Sequence, residues 1–242
     1  MQTAFYIGCS GYYYPAWKNK FYPAGVQPKN WLEHYSTVFR TVELNGTFYR
    51  TPKLTDLKKY HDVTPEDFRF SVKMGKFITH GARLLDMKQA VTDFQELIRE
   101  GLEDKLMHYL FQLPPSFHYS EEHLQRILDN IPHREENVIE LRHASWWNPE
   151  VETAFREAGL TFCNVDYPGM ETYFMQTSDS VYYRLHGNPV LFKSSYEEEE
   201  LREVYAAIPR DCGRAAIYFN NTYFEAGYLN ARQLRAIVEE HN

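Results

Sequence analysis

Glu43, Glu140, Arg142 and Arg184 stand inside short runs that otherwise read as apolar core. An unpaired charge in such a place costs roughly several kcal/mol, so four of them call for pairing or for use. Glu43 with Asn45, Glu140 with Arg142, and Arg184 with His186 are each two residues apart, which puts each pair on one face of a β-strand. Burial can raise a carboxyl pKa towards neutrality, which suits proton transfer. Glu43 and Glu140 are therefore the catalytic acid/base candidates, with His186 or His80 as second partner. The bland reading makes each glutamate a salt-bridge partner of Arg142, Arg184 or Lys73, and for either glutamate alone the two readings weigh equally. Lys73, Arg142 and Arg184 could converge on an anion, the arginines as planar forks and the lysine as a point charge. A Schiff-base role for Lys73 has no support at this level, because nothing in the sequence signals a lowered pKa.

Further polar or aromatic residues fall where apolar runs end: Ser10, Tyr14 and Trp17, then Gln112, Trp146, Asn164 and Asp166, and finally Asn220 and Asn221. With Asn45, they are candidate ligand contacts. Tyr14, Trp17, Tyr49, Trp146 and Trp147 could stack a sugar or base, a weak signal because rings at loop bases usually pack. Asn220 and Asn221 could instead cap the last helix or form an Asx-turn. His80, His143 and His186 with Glu43, Glu140 and Asp166 would suit a divalent ion. No H-x-E-x-H or H-x-x-x-H spacing occurs, and three nearby basic residues would repel a cation. The reading is no metal ligand, with a divalent ion left open and no cofactor motif evident. His143 is expected to pack against Trp146.

The elements that must position these groups are legible. Eight apolar runs begin near Phe5, Thr41, Phe68, Leu106, Val138, Thr161, Val181 and Ala215, most followed by an amphipathic stretch. That alternation predicts a parallel sheet. Thr51-Pro52 and Asn148-Pro149 each read as an N-cap before a first-turn proline, and Ser195 with Glu198 as a capping box. Leu84, Met87, Val91, Phe94 and Leu97 recur at helical steps, and Pro132 and Pro209 end helices. Residues 166–179 lack a helix pattern. The chain's 242 residues suit a barrel, which typically needs about 250. The expected fold is a single α/β domain over 1–242, a (β/α)8 TIM-type barrel of eight parallel strands, its interior filled with apolar side chains and its site at the C-terminal rim. A doubly wound sheet would usually show a glycine-rich nucleotide turn, and Gly8-Cys9-Ser10-Gly11 is not one.

Composition bounds the partners. The formal charge of −7 argues against nucleic acid without closing off a local basic pocket. Cys9, Cys163 and Cys212 are scattered, which fits a reducing compartment. No leader pattern or membrane-spanning run is evident, so the expectation is a cytoplasmic protein with no membrane partner.

Gly8-Cys9-Ser10-Gly11-Tyr12 with Tyr14 and Trp17, then Val42 to Tyr49, Gln112 to Phe117, Glu140 to His143 with Trp146, Tyr183 to Gly187, and Tyr218 to Thr222 resemble in order the signatures of the YecE-like family, a domain of unknown function. Cys9 and Tyr12 stand where that family more often has Thr and Trp. The resemblance implies a barrel and no established activity. The leading functional expectation, drawn from the residues, is an enzyme, hydrolase weakly favoured, using carboxylate acid/base chemistry on a small phosphorylated or carboxylated substrate. Alternatives are a glycosidase-like hydrolase built on Glu43 and Glu140, a metal-dependent phosphodiesterase or nuclease, and a barrel that binds a ligand without turnover.

Overall fold

The structure, a computed structural model, describes residues 3–241. Eight strands, β1 (Ala4–Cys9), β2 (Thr41–Leu44), β3 (Arg69–Lys73), β4 (Leu106–Gln112), β5 (Asn137–Glu140), β6 (Thr161–Asp166), β7 (Ser180–Leu185) and β8 (Arg214–Phe219), alternate with helices. The helices are α1 (Trp31–Ser36), α2 (Leu54–Asp62), α3 (Lys88–Leu102), α4 (Glu121–Asn130), α5 (Pro149–Ala158), α6 (Glu198–Ala207) and α7 (Ala226–Glu240). The connection from β6 to β7 has no helix. Every strand pairing is parallel, in the order β1-β8-β7-β6-β5-β4-β3-β2. The chain thus forms the expected TIM-like barrel, nearly closed.

Closure fails to be complete at one seam. β1 and β2 meet through a single parallel bridge, Ser10 to Glu43. Below it the Tyr35 hydroxyl of α1 lies between the strands, accepting from the Cys9 amide at 2.8 Å and donating to the Thr41 carbonyl at 3.1 Å. A side chain at position 8 would collide with this arrangement. A Cβ on Gly8 would come within 2.2 Å of the Thr41 carbonyl oxygen and 2.9 Å of the Tyr35 hydroxyl.

Two predicted helix starts move. α2 begins at Leu54 with Lys53 as N-cap, so Thr51 caps nothing. The capping box of α6 is Glu197 with Glu200; Asn230 Oδ1 takes the Tyr196 amide at 3.1 Å and holds the preceding residues out of the helix. Leu84 and Met87 precede α3 rather than lying in it. Asn148 caps α5 as expected, accepting from the Val151 amide at 3.0 Å.

The apolar core lies between strands and helices. The barrel interior holds the expected apolar cluster, with Leu110, Val138, Cys163 and Val165 in it, but polar groups share the space. Tyr218 bonds Thr41 at 2.6 Å and Ser71 at 2.8 Å, while buried His108 reaches Ser71 at 3.3 Å and Ser180 at 3.0 Å. Such groups are tolerated inside because each finds a partner. Burial drops the His108 pKa to about 3, so it packs as a neutral ring. No helix among the described residues is long and apolar enough to cross a membrane.

Candidate functional site

The strand ends build a charged floor in two tiers. In the lower tier Arg184 is fully buried and grips both glutamates. Its Nε and Nη2 donate to Glu43 at 3.0 and 2.7 Å, and its Nη1 donates to Glu140 at 2.5 Å. Tyr182 completes Glu43 at 2.6 Å. His186 Nε2 donates to Glu140 at 3.0 Å and its Nδ1 accepts from Asn220 at 2.9 Å. Arg184 Nη2 also reaches Ser10 Oγ at 3.3 Å. Alternation along β2, β5 and β7 explains this convergence: Glu43, Glu140 and Arg184 all take inward positions.

The upper tier faces a cleft of about 800 Å³. Lys73, Lys76, His80, Gln112, Arg142, Asn45 and Asn220 line it together with Tyr14, Phe48 and Tyr49, Arg184 reaches it from below, and no Asp or Glu among the described residues does. Arg142, 12% exposed, bonds Glu140 through Nε at 2.9 Å and lies 5.2 Å above the Tyr167 ring. Lys73 donates to Gln112 Oε1 at 2.9 Å and sits 4.3 Å over the Phe48 ring. Gln112 is held by its own amide group, which donates to the Leu113 carbonyl at 2.7 Å. Asn45 Oδ1 is buried with no hydrogen-bond partner.

Charge states follow from these neighbours. Burial alone would raise both glutamates. Arg184 outweighs it at Glu43, and Arg142 and Arg184 outweigh it at Glu140, so both carboxyls fall below their ordinary range. Burial keeps His186 neutral, with a pKa of about 4 despite Glu140. Burial, then Arg184 and Arg142, lower Lys73 to about 7, a shift that the residue's place in the sequence did not disclose. Burial, then Lys73 and Arg142, take His80 to about 4.

Several predicted residues lie elsewhere. Trp17 is buried against Phe21, Tyr22 and Tyr228, with Nε1 on the Phe224 carbonyl at 2.7 Å. Trp146 is buried, stacked on Phe117. Trp147 abuts Phe162. Asn164 ties down the Met175 backbone, and Asp166 faces outward, bound to Tyr196 at 2.5 Å and Asn188 at 3.0 Å. Asn221 bonds the Ser194 carbonyl and Asn230, and is not a helix cap. His143 stacks on His118 at 3.9 Å, not on Trp146, because Phe117 already occupies that indole's face. The three strand-end histidines part ways: His80 meets Phe48 and His186 meets Glu140. The one group of potential metal-ligating side chains among the described residues, His61, Glu103 and Asp104, is distant in the fold from these strand ends and partly exposed.

The profile described as "Protein of unknown function DUF72" matches residues 6–242. The chain belongs to the DUF72 family. Among curated relatives, UPF0759 protein YecE of Escherichia coli K12 is 30% identical over 156 residues, 64% of this chain and 54% of YecE. UPF0759 protein YunF of Bacillus subtilis 168 is 30% identical over 172 residues, 66% of this chain and 57% of YunF. The matched part thus spans about half the length of these relatives. A crystal structure of a DUF72 family protein (TM1631) from Thermotoga maritima MSB8 superposes with a TM-score of 0.88 at 29% identity, covering 98% of this chain and 99% of that one. A second, EF0366 of Enterococcus faecalis V583, shares the fold at 20% identity, with a TM-score of 0.78 and 98% coverage of both chains.

Sequence reasoning about this DUF72 cleft missed Tyr182, Phe48, Lys76 and Tyr167. Only Tyr182 had a signal, two residues before Arg184 on the same inward face. The lower tier also sets an acid response. Both glutamates have folded pKa values below the unfolded value of about 4.3, so their contribution is present above that value and lost as pH falls through the folded values. His186 and His108, kept neutral, act in the same direction below about pH 6.5. The melting temperature should therefore fall steadily from pH 6.5 to 3; a flat profile over that window would contradict the assigned charge states.

Proposed function

We propose that the cleft binds a small phosphorylated or carboxylated molecule, and that this DUF72 chain is an enzyme acting on it. The supporting observation is the division of charge: cations face the cleft, and both glutamates are spent beneath it on Arg184, Arg142 and His186. Arg142 is the anion fork and Lys76 the outer point charge. Asn45 and Asn220 supply neutral hydrogen bonds. Proton transfer then falls to Lys73, whose pKa of about 7 lies at the working pH, with the neutral His80 ring beside it as a weaker acceptor. Glu43 and Glu140, ionised and hydrogen-bonded, position the arginines.

A glycosidase mechanism finds no room here. Hydrolysis by either route needs the glycosidic bond between two carboxyl groups, and the Arg184 guanidinium occupies the place between Glu43 and Glu140.

Arg142→Ala should weaken binding of inorganic phosphate or citrate by about 1.5–3 kcal/mol, the usual worth of a hydrogen bond to a charged group. Isothermal titration of the folded variant checks this, and unchanged affinity for both anions would remove Arg142 from the site. Arg142→Lys should restore only part of the loss, since a lysine lacks the planar fork.

A further inference from the structure

Lys73, at the end of β3, has no ionic partner among the described residues. Two carboxylates lie in the same layer, yet neither reaches it. Glu43 is taken by Arg184 and Tyr182, and Glu140 by Arg184, Arg142 and His186. Nζ is left with a neutral amide oxygen, Gln112 Oε1 at 2.9 Å, and the face of Phe48 at 4.3 Å. Buried lysines are ordinarily paired. This one is 9% exposed, projects from the end of β3 and opens onto the cleft. Such surroundings leave a share of the amine as free base at neutrality, able to attack.

We propose that Lys73 is a carbonyl-reactive amine, and that the anion bound in the cleft carries an aldehyde or ketone that condenses with its Nζ. This rests on the anion-site reading above and adds the substrate class. The Nζ lone pair forms the new C–N bond, and the carbonyl π pair moves to oxygen, which takes a proton. One Nζ proton passes to solvent or to the neutral His80 ring. The oxygen then leaves as water after a second protonation, and a nitrogen lone pair forms the C=N bond. The net change is amine plus carbonyl plus one proton giving iminium plus water, with no oxidation. Arg142 would hold the anionic group of the same molecule.

The charged and titratable groups around Nζ set its pH response. Arg184 lies on β7, Arg142 just beyond β5, Glu140 on β5, Glu43 on β2, and Lys76 and His80 on the segment after β3. Burial is the largest influence, and the cations, which outweigh the two glutamates, act with it to bring Lys73 to about 7.

The test is reductive trapping. The full chain is incubated at pH 7 with glyceraldehyde 3-phosphate and sodium cyanoborohydride, and modified lysines are located by peptide mass mapping over time. Lys73 should be modified about ten-fold or more faster than any surface lysine. Its rate should rise through pH 7. Glyceraldehyde without the phosphate should react more slowly at Lys73, and Arg142→Ala should remove that difference. Lys73→Arg should abolish the fast site in a protein whose melting curve shows it folded; the wild-type map stands on its own if that variant does not fold. Labelling of Lys73 no faster than surface lysines, while phosphate still binds in an Arg142-dependent way, overturns the inference and leaves the anion site standing. Equal labelling by glyceraldehyde and its phosphate keeps the amine chemistry and overturns the anion reading.

Discussion

Arg184→Ala is expected to unfold this protein or leave it barely folded at 25 °C. The substitution strips the guanidinium from two carboxylates that are both fully buried. Breaking one buried ion pair by removing a partner costs about 3–5 kcal/mol, and here two carboxylates are stranded at once. A typical domain has only about 5–15 kcal/mol in total. Glu43 would keep Tyr182 at 2.6 Å, and Glu140 would keep Arg142 at 2.9 Å and His186 at 3.0 Å, so the loss should fall short of twice the single-pair cost. The triple variant Arg184→Met, Glu43→Gln, Glu140→Gln removes the stranded charges and should recover much of the loss. Melting temperature and far-UV circular dichroism measure both. An Arg184→Ala protein within about 1 kcal/mol of wild type would show that the lower tier is not what holds the strand ends together. The expectation also separates two roles. The Arg184 donors are directed at Glu43, Glu140 and Ser10 while the residue also lines the cleft floor, so a loss of anion affinity in a folded Arg184 variant would come through its missing charge or through displacement of Arg142.

Gly8→Ala should cost about 1–3 kcal/mol or more, the range for forcing extra volume into a packed site. The new methyl group meets the Thr41 carbonyl oxygen at 2.2 Å, and that oxygen belongs to the backbone of β2. A flexible side chain could move aside; a strand must shift whole. Tyr35, whose hydroxyl would be 2.9 Å away, is held by the same two strands and yields only by giving up its bonds to Cys9 and Thr41. Spreading the seam also strains the Ser10 to Glu43 bridge, so phosphate affinity should fall along with stability. Urea unfolding and phosphate titration of the one variant test both. A stability change inside about 0.5 kcal/mol, the scale of an innocuous surface substitution, would mean that the seam is looser than these distances state.

The residues read most surely from sequence were charged groups in otherwise apolar strands. Period-two spacing placed Glu43, Glu140 and Arg184 on the inward face, and the structure gathers them around one guanidinium. Asn164 and Asp166 were placed only by their position at a strand end, and both turn away from the cleft. β6 is buried on both faces and reads Thr-Phe-Cys-Asn-Val-Asp, a run in which alternation cannot say which side is inside. There Cys163 and Val165 point inward. Trp17 and Trp146 misled because connecting segments fold down onto the strands and bury their rings. Lys76, Phe48 and Tyr167 sit in such segments too, where no periodicity marks them. The lowered pKa of Lys73 was illegible for a different reason. It comes first from burial of the amine and then from the nearness of Arg184 and Arg142, properties of three-dimensional arrangement rather than of residue type.

The seam between β1 and β2 has a bearing on self-association. A sheet that curls without full pairing brings two strand edges face to face, and strand edges invite other chains to add. In this barrel the unpaired Cys9 amide and Thr41 carbonyl would be the exposed template. The Tyr35 hydroxyl satisfies both, and the ring beneath it is fully buried. One phenol thus caps two edges at once, in a space too narrow for a third strand.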